Sequence, residues 1–348
     1  MTRSLQATVL AAAGLWLAAT AHAQSNVRVY GLVDASVGRF QNSGAPKDNA
    51  VDSGGMSTSF LGIKGSEDII GSLKAKFAIE HFVQIDRGTA GRFDGDSFWS
   101  RNAYVGLQGE FGSTTLGRHA TPLFISTVMF NAFGDSSAFS PSVRQIFTPA
   151  LAPFFGDSRW NNSVAFTTDG NGNGSEGLNY SLTYNLGESA PGSTGKNVSV
   201  GTRYFSGPLG ASFTWQRAQN GAGISSAPLA VLPAGFTRQN SFQFGVSYDM
   251  TVAKLFGQYT QIKTRASTNT RSQLYSFGTA VPLGRGKLLA QYGRASASGA
   301  GEPTHQTLSL GYDHELSKLT DVYAVVMSDK VSGLARGNTL AAGMRLRF

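Results

Sequence analysis

From Val27 onward the sequence alternates apolar and polar residues with a period of two, and this alternation recurs almost to the end of the chain. LNYSLTYNL is the cleanest case: Leu178, Tyr180, Leu182, Tyr184 and Leu186 fall on one side, Asn179, Ser181, Thr183 and Asn185 on the other. Successive side chains of a strand point to opposite faces, whereas an amphipathic helix repeats every three to four residues, so the period specifies strands. SFQFGVSY, NVSVGTRYF and QTLSLGYD obey the same rule. Sixteen such segments begin near residues 27, 56, 73, 100, 112, 159, 178, 196, 210, 240, 252, 272, 287, 305, 320 and 338, and no sustained helical period competes with them. Short turns such as SGPLG (Ser206 to Gly210), PLGRG (Pro282 to Gly286) and ELSK (Glu315 to Lys318) alternate with longer connections rich in Gly, Ser, Asn or Ala. DGNGNGSEG (Asp169 to Gly177), Asn220 to Arg238 and Ala295 to Pro303 are counted among the long ones. One end of the molecule is expected to be trimmed and the other elaborate.

What covers the two faces decides the architecture. A soluble sandwich alternates too, but its polar faces carry dense charge. Here charged residues are 14% of the chain, against about 25% in an ordinary soluble domain. The polar faces are Ser, Thr, Asn, Gln and Gly with scattered Arg. A closed antiparallel barrel, apolar outside and aqueous inside, pairs every backbone group and leaves no edge. About sixteen strands enclose more space than side chains can fill, so the fold class is an all-β, transmembrane 16-stranded antiparallel β-barrel around a channel. Tyr30, Trp160, Trp215, Tyr248, Tyr259 and Tyr312, near strand ends, are expected in interfacial girdles. The closing segment TLAAGMRLRF sets Leu340, Ala342, Met344, Leu346 and Phe348 against a face with Arg345 and Arg347, which are expected to meet water in the lumen.

The first residues give the compartment. Arg3, the apolar run Val9 to Ala21 and the Ala21-His22-Ala23 site read as a signal peptide over 1–23, cleaved after Ala23, with the barrel over 24–348. The run is short for a membrane anchor. There are no cysteines, so neither disulfides nor thiolate metal sites are available. The formal charge is +8, yet no dense Lys/Arg run or recognition motif points to nucleic acid.

One connection breaks the rule. Between Arg118 and Arg159 no convincing strand is found, and a structureless loop of that length needs a reason. Phe124, Phe130, Phe133, Phe139, Phe147, Phe154 and Phe155 are too many rings for a solvated loop, so it needs a wall to pack on. Folding into the lumen supplies one, and would set Asp135 opposite basic wall residues. The alternative is an apolar lid or a subunit contact outside the barrel.

VRVYGLVDASV, SFLGIKGSEDIIGSLKAKFAIE (Ser59 to Glu80), SRNAYVGLQGEFGSTTLGRHATP (Ser100 to Pro122), RWNNSV (Arg159 to Val164) and the terminal GMRLRF, in that order, resemble the trimeric general porins of betaproteobacterial outer membranes. The resemblance implies a homotrimer in outer-membrane lipid and lipopolysaccharide, with the third external loop folded into each channel as an eyelet. It implies Arg101 and Arg118 as wall arginines at the constriction, Asp135 on the eyelet, and Arg159 and Lys64 as further basic lining; Lys74 and Arg203 are expected, from their own charge, to support the same preference for anions. It also implies that Phe348 is read by the outer-membrane assembly machinery. Two positions depart from the family: Phe60 stands where an arginine is frequent, and Ala132 where an acid often precedes the FG. Both departures are expected to soften the transverse field without changing its sign.

The function expected is passive diffusion of small anionic or neutral hydrophilic solutes, with anions preferred. Arginine suits such a wall because its charge is permanent and its fork matches phosphate and carboxylate. A substrate-selective channel for phosphate or organic acids is the alternative, and the external loops are open to adhesin or phage-receptor roles. An outer-membrane hydrolase would need a nucleophile motif, and none of His81, His119, His305 and His314 lies in one. His119 reads as a polar lining residue, with pH sensing as the alternative. DGNGNGSEG opens like a calcium loop, but its twelfth position is Tyr180 instead of Glu. No cofactor or metal is expected.

Overall fold

The computed structural model describes residues 26–147, 157–169, 176–187, 196–219, 233–299 and 303–348. The signal segment, Phe154, Phe155, and Asn171, Asn173 and Gly174 of the calcium-like loop lie outside the described residues. The strands are β1 (Asn26–Phe40), β2 (Asp48–Ser53), β3 (Phe60–Ile70), β4 (Leu73–Gln84), β5 (Thr89–Ala90), β6 (Asn102–Gly109), β7 (Gly112–Ala120), β8 (Arg159–Thr167) and β9 (Gly177–Asn185). They continue as β10 (Asn197–Ser206), β11 (Leu209–Gln219), β12 (Arg238–Asp249), β13 (Lys254–Arg265), β14 (Thr270–Leu283), β15 (Gly286–Ser298), β16 (Thr304–Glu315), β17 (Thr320–Val331) and β18 (Gly337–Arg347). Two helices, α1 (Pro122–Met129) and α2 (Pro141–Phe147), lie between β7 and β8. The sequence reading placed no strand there, and the structure adds the helices.

Neighbouring strands pair antiparallel throughout, and β18 returns to β1. β2 and β3 lie end to end along β1, which pairs with β2 through Ala35 to Phe40 and with β3 through Asn26 to Leu32. β5 and β6 lie end to end along β4 in the same way. With each of these two pairs counted as one interrupted strand, sixteen strands close the barrel.

Alternation works as the sequence requires. On β18 the outward Leu340 and Met344 are 55% and 51% exposed, while Ala341, facing inward, is 2% exposed. The seam runs from Leu32 opposite Arg347 to Arg39 opposite Leu340, and Gly31 and Phe348 exchange two backbone hydrogen bonds of 3.0 and 3.2 Å.

Three expectations change. The Asp169 to Gly177 connection joins β8 to β9 at the short-turn end, because Gly177 pairs with Phe205 beside the 207–208 turn. Tyr30 is no girdle residue: Val27 and Val29 take the outward face of β1, so Tyr30 turns inward and its hydroxyl bonds Glu80. Trp160 is buried as well, where a register shift opposite Gly117 and His119 and a left-handed Asn162 (φ 45°) interrupt the alternation. Trp215, Tyr248, Tyr259 and Tyr312 do fall on outward faces.

The seam leaves no room at Gly38, where a Cβ would stand 2.3 Å from the Leu340 carbonyl oxygen. Overpacking of this kind costs about 1–3 kcal/mol. Gly38→Val is expected to lower the yield of folded barrel, measured as the fraction keeping its fast mobility on unheated gels; wild-type yield would overturn this reading of the seam.

Candidate functional site

The segment after β7 turns into the barrel at Thr121, whose hydroxyl accepts from the Phe124 N–H at 3.2 Å and caps α1, with Pro122 at the first helical position. Ser140 accepts from the Val143 N–H at 3.3 Å at the start of α2. The turn between the helices is organised by Asn131, whose amide donates to the Thr127 and Gly134 carbonyls and accepts from the Phe133 N–H. Phe130, Phe133 and Phe139 are buried, and the loop lies against the inner wall with α1 on β10 to β12 and α2 on β14 to β16.

Polar wall residues fasten it. Gln243 donates to the Thr127 hydroxyl at 2.9 Å and Gln258 to the Thr127 carbonyl at 2.8 Å. Gln291 donates to Ser142 at 2.9 Å, and Ser309 to the Phe139 carbonyl at 2.7 Å. Across the lumen, Ser136 donates to the Gly55 carbonyl at 2.7 Å, in the gap between β2 and β3. A buried polar group without a partner is costly, so these bonds hold the loop in one place. Much of the polar inner face thus serves as adhesive for the loop and not as water lining.

Two cavities flank the loop, and Asp135 lines both. The one toward the long-loop end, about 360 Å³, is lined among others by Arg92, Arg101, Phe124, Asp157 and Arg159. The one toward the short-turn end, about 560 Å³, is lined among others by Lys254, Lys287, Asp313, Arg345 and Arg347. Asp135 accepts from the Ser57 hydroxyl at 2.9 Å.

The arginines differ in how they are held. The Arg101 guanidinium lies 3.9 Å over the Phe60 ring and pairs with Glu80, which also accepts from Tyr30 and Asn102. Phe60, read from sequence as a lost charge, is the platform under Arg101. Arg118 is buried and saturated, donating to the Ser100 carbonyl at 2.7 Å, Asn161 at 2.5 Å and Asp157 at 2.6 Å. Arg159 lies between the Phe82 and Phe124 rings at 5.1 and 4.8 Å and donates to Ser158 at 3.0 Å. Among the described residues it has no carboxylate within 4.0 Å, unlike Arg92, Arg101 and Arg118.

Asp157 ties loop segments together. It takes Arg92 at 2.8 Å and Arg118 at 2.6 Å, while Arg92 also pairs with Asp96 at 2.8 Å. Burial alone would raise the Asp157 carboxyl, but the guanidiniums of Arg92 and Arg118 outweigh it and hold this acid well below the usual carboxylate range. Burial opposes Asp96 too, and Arg92 likewise prevails and lowers it.

Other predicted residues lie elsewhere. Lys64 is exposed, its ammonium 4.2 Å over the Tyr30 ring. Lys74 pairs with Asp68 at 2.9 Å at the short-turn end of the wall. Arg203 reaches Asp169 at 3.1 Å and the Met129 sulfur at 3.4 Å, and shares a smaller pocket with Lys76 and His119. His119 stacks on Tyr104 at 5.3 Å and meets the Ser163 hydroxyl at 3.2 Å. Arg345, expected to face water, is instead largely buried between Asp321 at 3.0 Å and Asp313 at 3.1 Å, because those acids share its face on β17 and β16. Sequence reasoning missed Lys254 and Lys287. Lys254 sits on the inward parity of Gln258 and Thr260, so strand period alone could have found it.

The sequence profile of the family described as Gram-negative porin matches residues 7–334. The chain belongs to the Gram-negative porin family. Outer membrane porin protein 32 of Delftia acidovorans is 30% identical to this porin over 342 residues, covering 93% of this chain and 88% of that protein. An outer membrane porin protein of Bordetella pertussis is 24% identical and covers 99% and 100%. Among solved structures, the anion-selective porin from Comamonas acidovorans superposes with a TM-score of 0.76 at 24% identity, covering 93% and 100%. The porin is a protein of the outer membrane, and its barrel encloses a water-filled channel.

Because the folded-state value of Asp157 is depressed, its stabilisation is complete above the ordinary unfolded value near 4 and is lost as pH falls below that toward the lower folded value. Asp157→Asn leaves Arg118 without a carboxylate partner and Arg92 with Asp96 alone, and is expected to cost on the order of 3–5 kcal/mol at neutral pH. Thermal unfolding of the two proteins should differ most at pH about 7 and converge as pH drops below about 4; a pH-independent difference would count against this anchor.

Proposed function

We propose that this porin passes small hydrophilic solutes by diffusion and prefers anions. Arg159 carries the reading. Its charge is permanent, it lines the cavity beside the eyelet, and no described carboxylate lies within ion-pair distance of it. The Phe82 and Phe124 rings fix its position without cancelling its charge. Arg101, only partly offset by Glu80, adds to the potential on the same side, and Lys254 and Lys287 extend a basic path toward the short-turn end, where Arg347 is paired with Asp321 at 2.7 Å. Asp135 stands across from these cations and sets a transverse field. The relative from Comamonas acidovorans bears the description anion-selective, which agrees with this reading. Solutes pass unchanged, so no catalytic group is called for.

In planar bilayers under a KCl gradient, the reversal potential should favour chloride, Arg159→Gln should shift it toward potassium, and Asp135→Asn should shift it further toward chloride. A cation-selective wild-type channel would overturn the proposal. Saturating block by phosphate at low concentration would favour the dedicated anion channel instead.

We also infer a homotrimer whose assembly reads Phe348. Small outward side chains, Ala35, Ala324 and Ala342, give adjoining strands β1, β17 and β18 a shallow apolar surface on which another subunit could lie closely. The Phe348 ring is half exposed on the outside of the seam, packed over Gly31. Deleting Phe348 is expected to reduce trimers in the membrane while those that insert keep the wild-type reversal potential. Unchanged trimer yield would remove the assembly role, and a wild-type particle of monomer mass in mild detergent would remove the trimer.

A further inference from the structure

The chamber on the long-loop side of the eyelet is walled by more aromatic surface than an aqueous passage calls for. Phe82 on β4, Phe93 in the connection between β5 and β6, Phe124 on α1 and Phe147 at the end of α2 all line it. Four separate stretches of chain thus bring their rings to one cavity of about 360 Å³. Phe82 is buried, whereas Phe93, Phe124 and Phe147 each leave part of their surface uncovered. Phe124 and Phe147 meet edge to face, with centroids 5.3 Å apart and planes at 82°. Apolar surface left facing water is unfavourable, so these rings are best accounted for by a solute that covers them.

The charged groups of the chamber are mostly engaged with one another. Arg92 pairs with Asp157, Arg101 pairs with Glu80, and Asp135 accepts from Ser57. Arg159 differs. It is 6% exposed, its Nη1 donates to the Ser158 hydroxyl, and its Nε has no hydrogen-bond partner. Its side chain donates no other hydrogen bond among the described residues. A permanent charge held between rings is lowest in free energy when an anion supplies the missing acceptors. The rings add a second condition, because a flat aromatic surface is matched best by another ring. Chloride and phosphate satisfy the arginine and leave the rings wet. A neutral aromatic solute does the reverse. A carboxylate carried on an aromatic ring satisfies both, with its oxygens on the Arg159 fork and its ring against Phe93, Phe124 and Phe147. A cavity of this volume, lined largely by apolar and aromatic side chains with a few polar groups, has the composition of a small-molecule site.

We propose that this chamber is a recognition site for aromatic carboxylates, which the channel takes in preference to aliphatic acids and inorganic anions of the same charge. The proposal rests on the anion-preferring reading of the pore and names the solute class which that reading leaves open. Arg159 selects the charge, and the three partly exposed rings select the shape.

The test measures block of the chloride current through single wild-type channels in planar bilayers, at neutral pH, by benzoate, cyclohexanecarboxylate and acetate. All three carry the same charge on the same group. Benzoate is expected to reach half-block at a concentration at least about tenfold below that of acetate, and below that of cyclohexanecarboxylate, whose ring is not flat. Phe124→Leu keeps an apolar side chain but removes the flat face, and should bring benzoate to within about twofold of cyclohexanecarboxylate. Equal half-block by benzoate and acetate, equal half-block by benzoate and cyclohexanecarboxylate, or a benzoate preference undiminished in Phe124→Leu would each overturn the proposal. If Phe124→Leu fails to fold on unheated gels, the three acids on the wild type decide alone. The reversal potential under a KCl gradient, read on the same wild-type membranes, separates the two levels. Chloride preference with equal block by all three acids overturns the aromatic site alone, while a cation-selective channel overturns the anion reading beneath it.

Discussion

In hydrocarbon a backbone N–H or C=O without a partner has no water to turn to, and this penalty governs the molecule. Each strand satisfies its backbone only through its neighbours, so the sheet is stable only when its last strand reaches its first. The pairing of β1 with β18, continued by the Gly31 and Phe348 backbone bonds, is where that condition is met. Small residues line this seam because the strands approach too closely for a Cβ at Gly38, and Gly343 leaves space for the Tyr323 ring and the Ala35 carbonyl.

The functional site lies where the ladder is broken. β2 and β3 are interrupted at 54–59, and there Gly55 and Ser57 meet the eyelet loop. The gap is stitched to β1 by its own bonds: the Gly54 N–H donates to the Asp34 carbonyl at 2.8 Å and the Ser57 N–H to the Asp34 carboxylate at 2.8 Å. β5 and β6 are interrupted between Ala90 and Asn102, and that gap supplies Arg92 and Arg101. Irregular backbone is tolerated at membrane depth where it lines a water-filled cavity, which is its position here. On the opposite wall the ladder is continuous, and its Gln and Ser side chains grip the loop.

Charge in the channel is set by pairing more than by the number of basic residues. Glu80 and Asp157 engage Arg101, Arg92 and Arg118, and Asp321 and Asp313 engage Arg345. Phenylalanine rings hold Arg101 and Arg159 flat against the wall, a task for which Phe60 is suited and a further arginine would not be. A tally of Lys and Arg therefore says less about the field than the distance of each one from its nearest carboxylate.

Strand period, composition and the phenylalanine-rich connection between Arg118 and Arg159 were sufficient by themselves to determine a sixteen-stranded barrel, its lipid and water faces, and a connection that needs a wall to pack on; the tertiary structure decided that this wall is the inner face of the barrel. Lipid outside and water inside impose that alternation residue by residue, so it is written locally. Only the tertiary structure decided which charges remain active. Arg101 and Glu80 are 21 residues apart and Arg118 and Asp157 are 39 apart, and their distances depend on strand register and loop path. Trp160 was misplaced for a related reason, since it lies beside a register shift that has no signature in its own residues, whereas the inward place of Tyr30 was already written in the outward parity of Val27 and Val29. Periodicity records what each face of a strand touches in bulk, while a site is made of particular pairs, and those form only when the barrel closes.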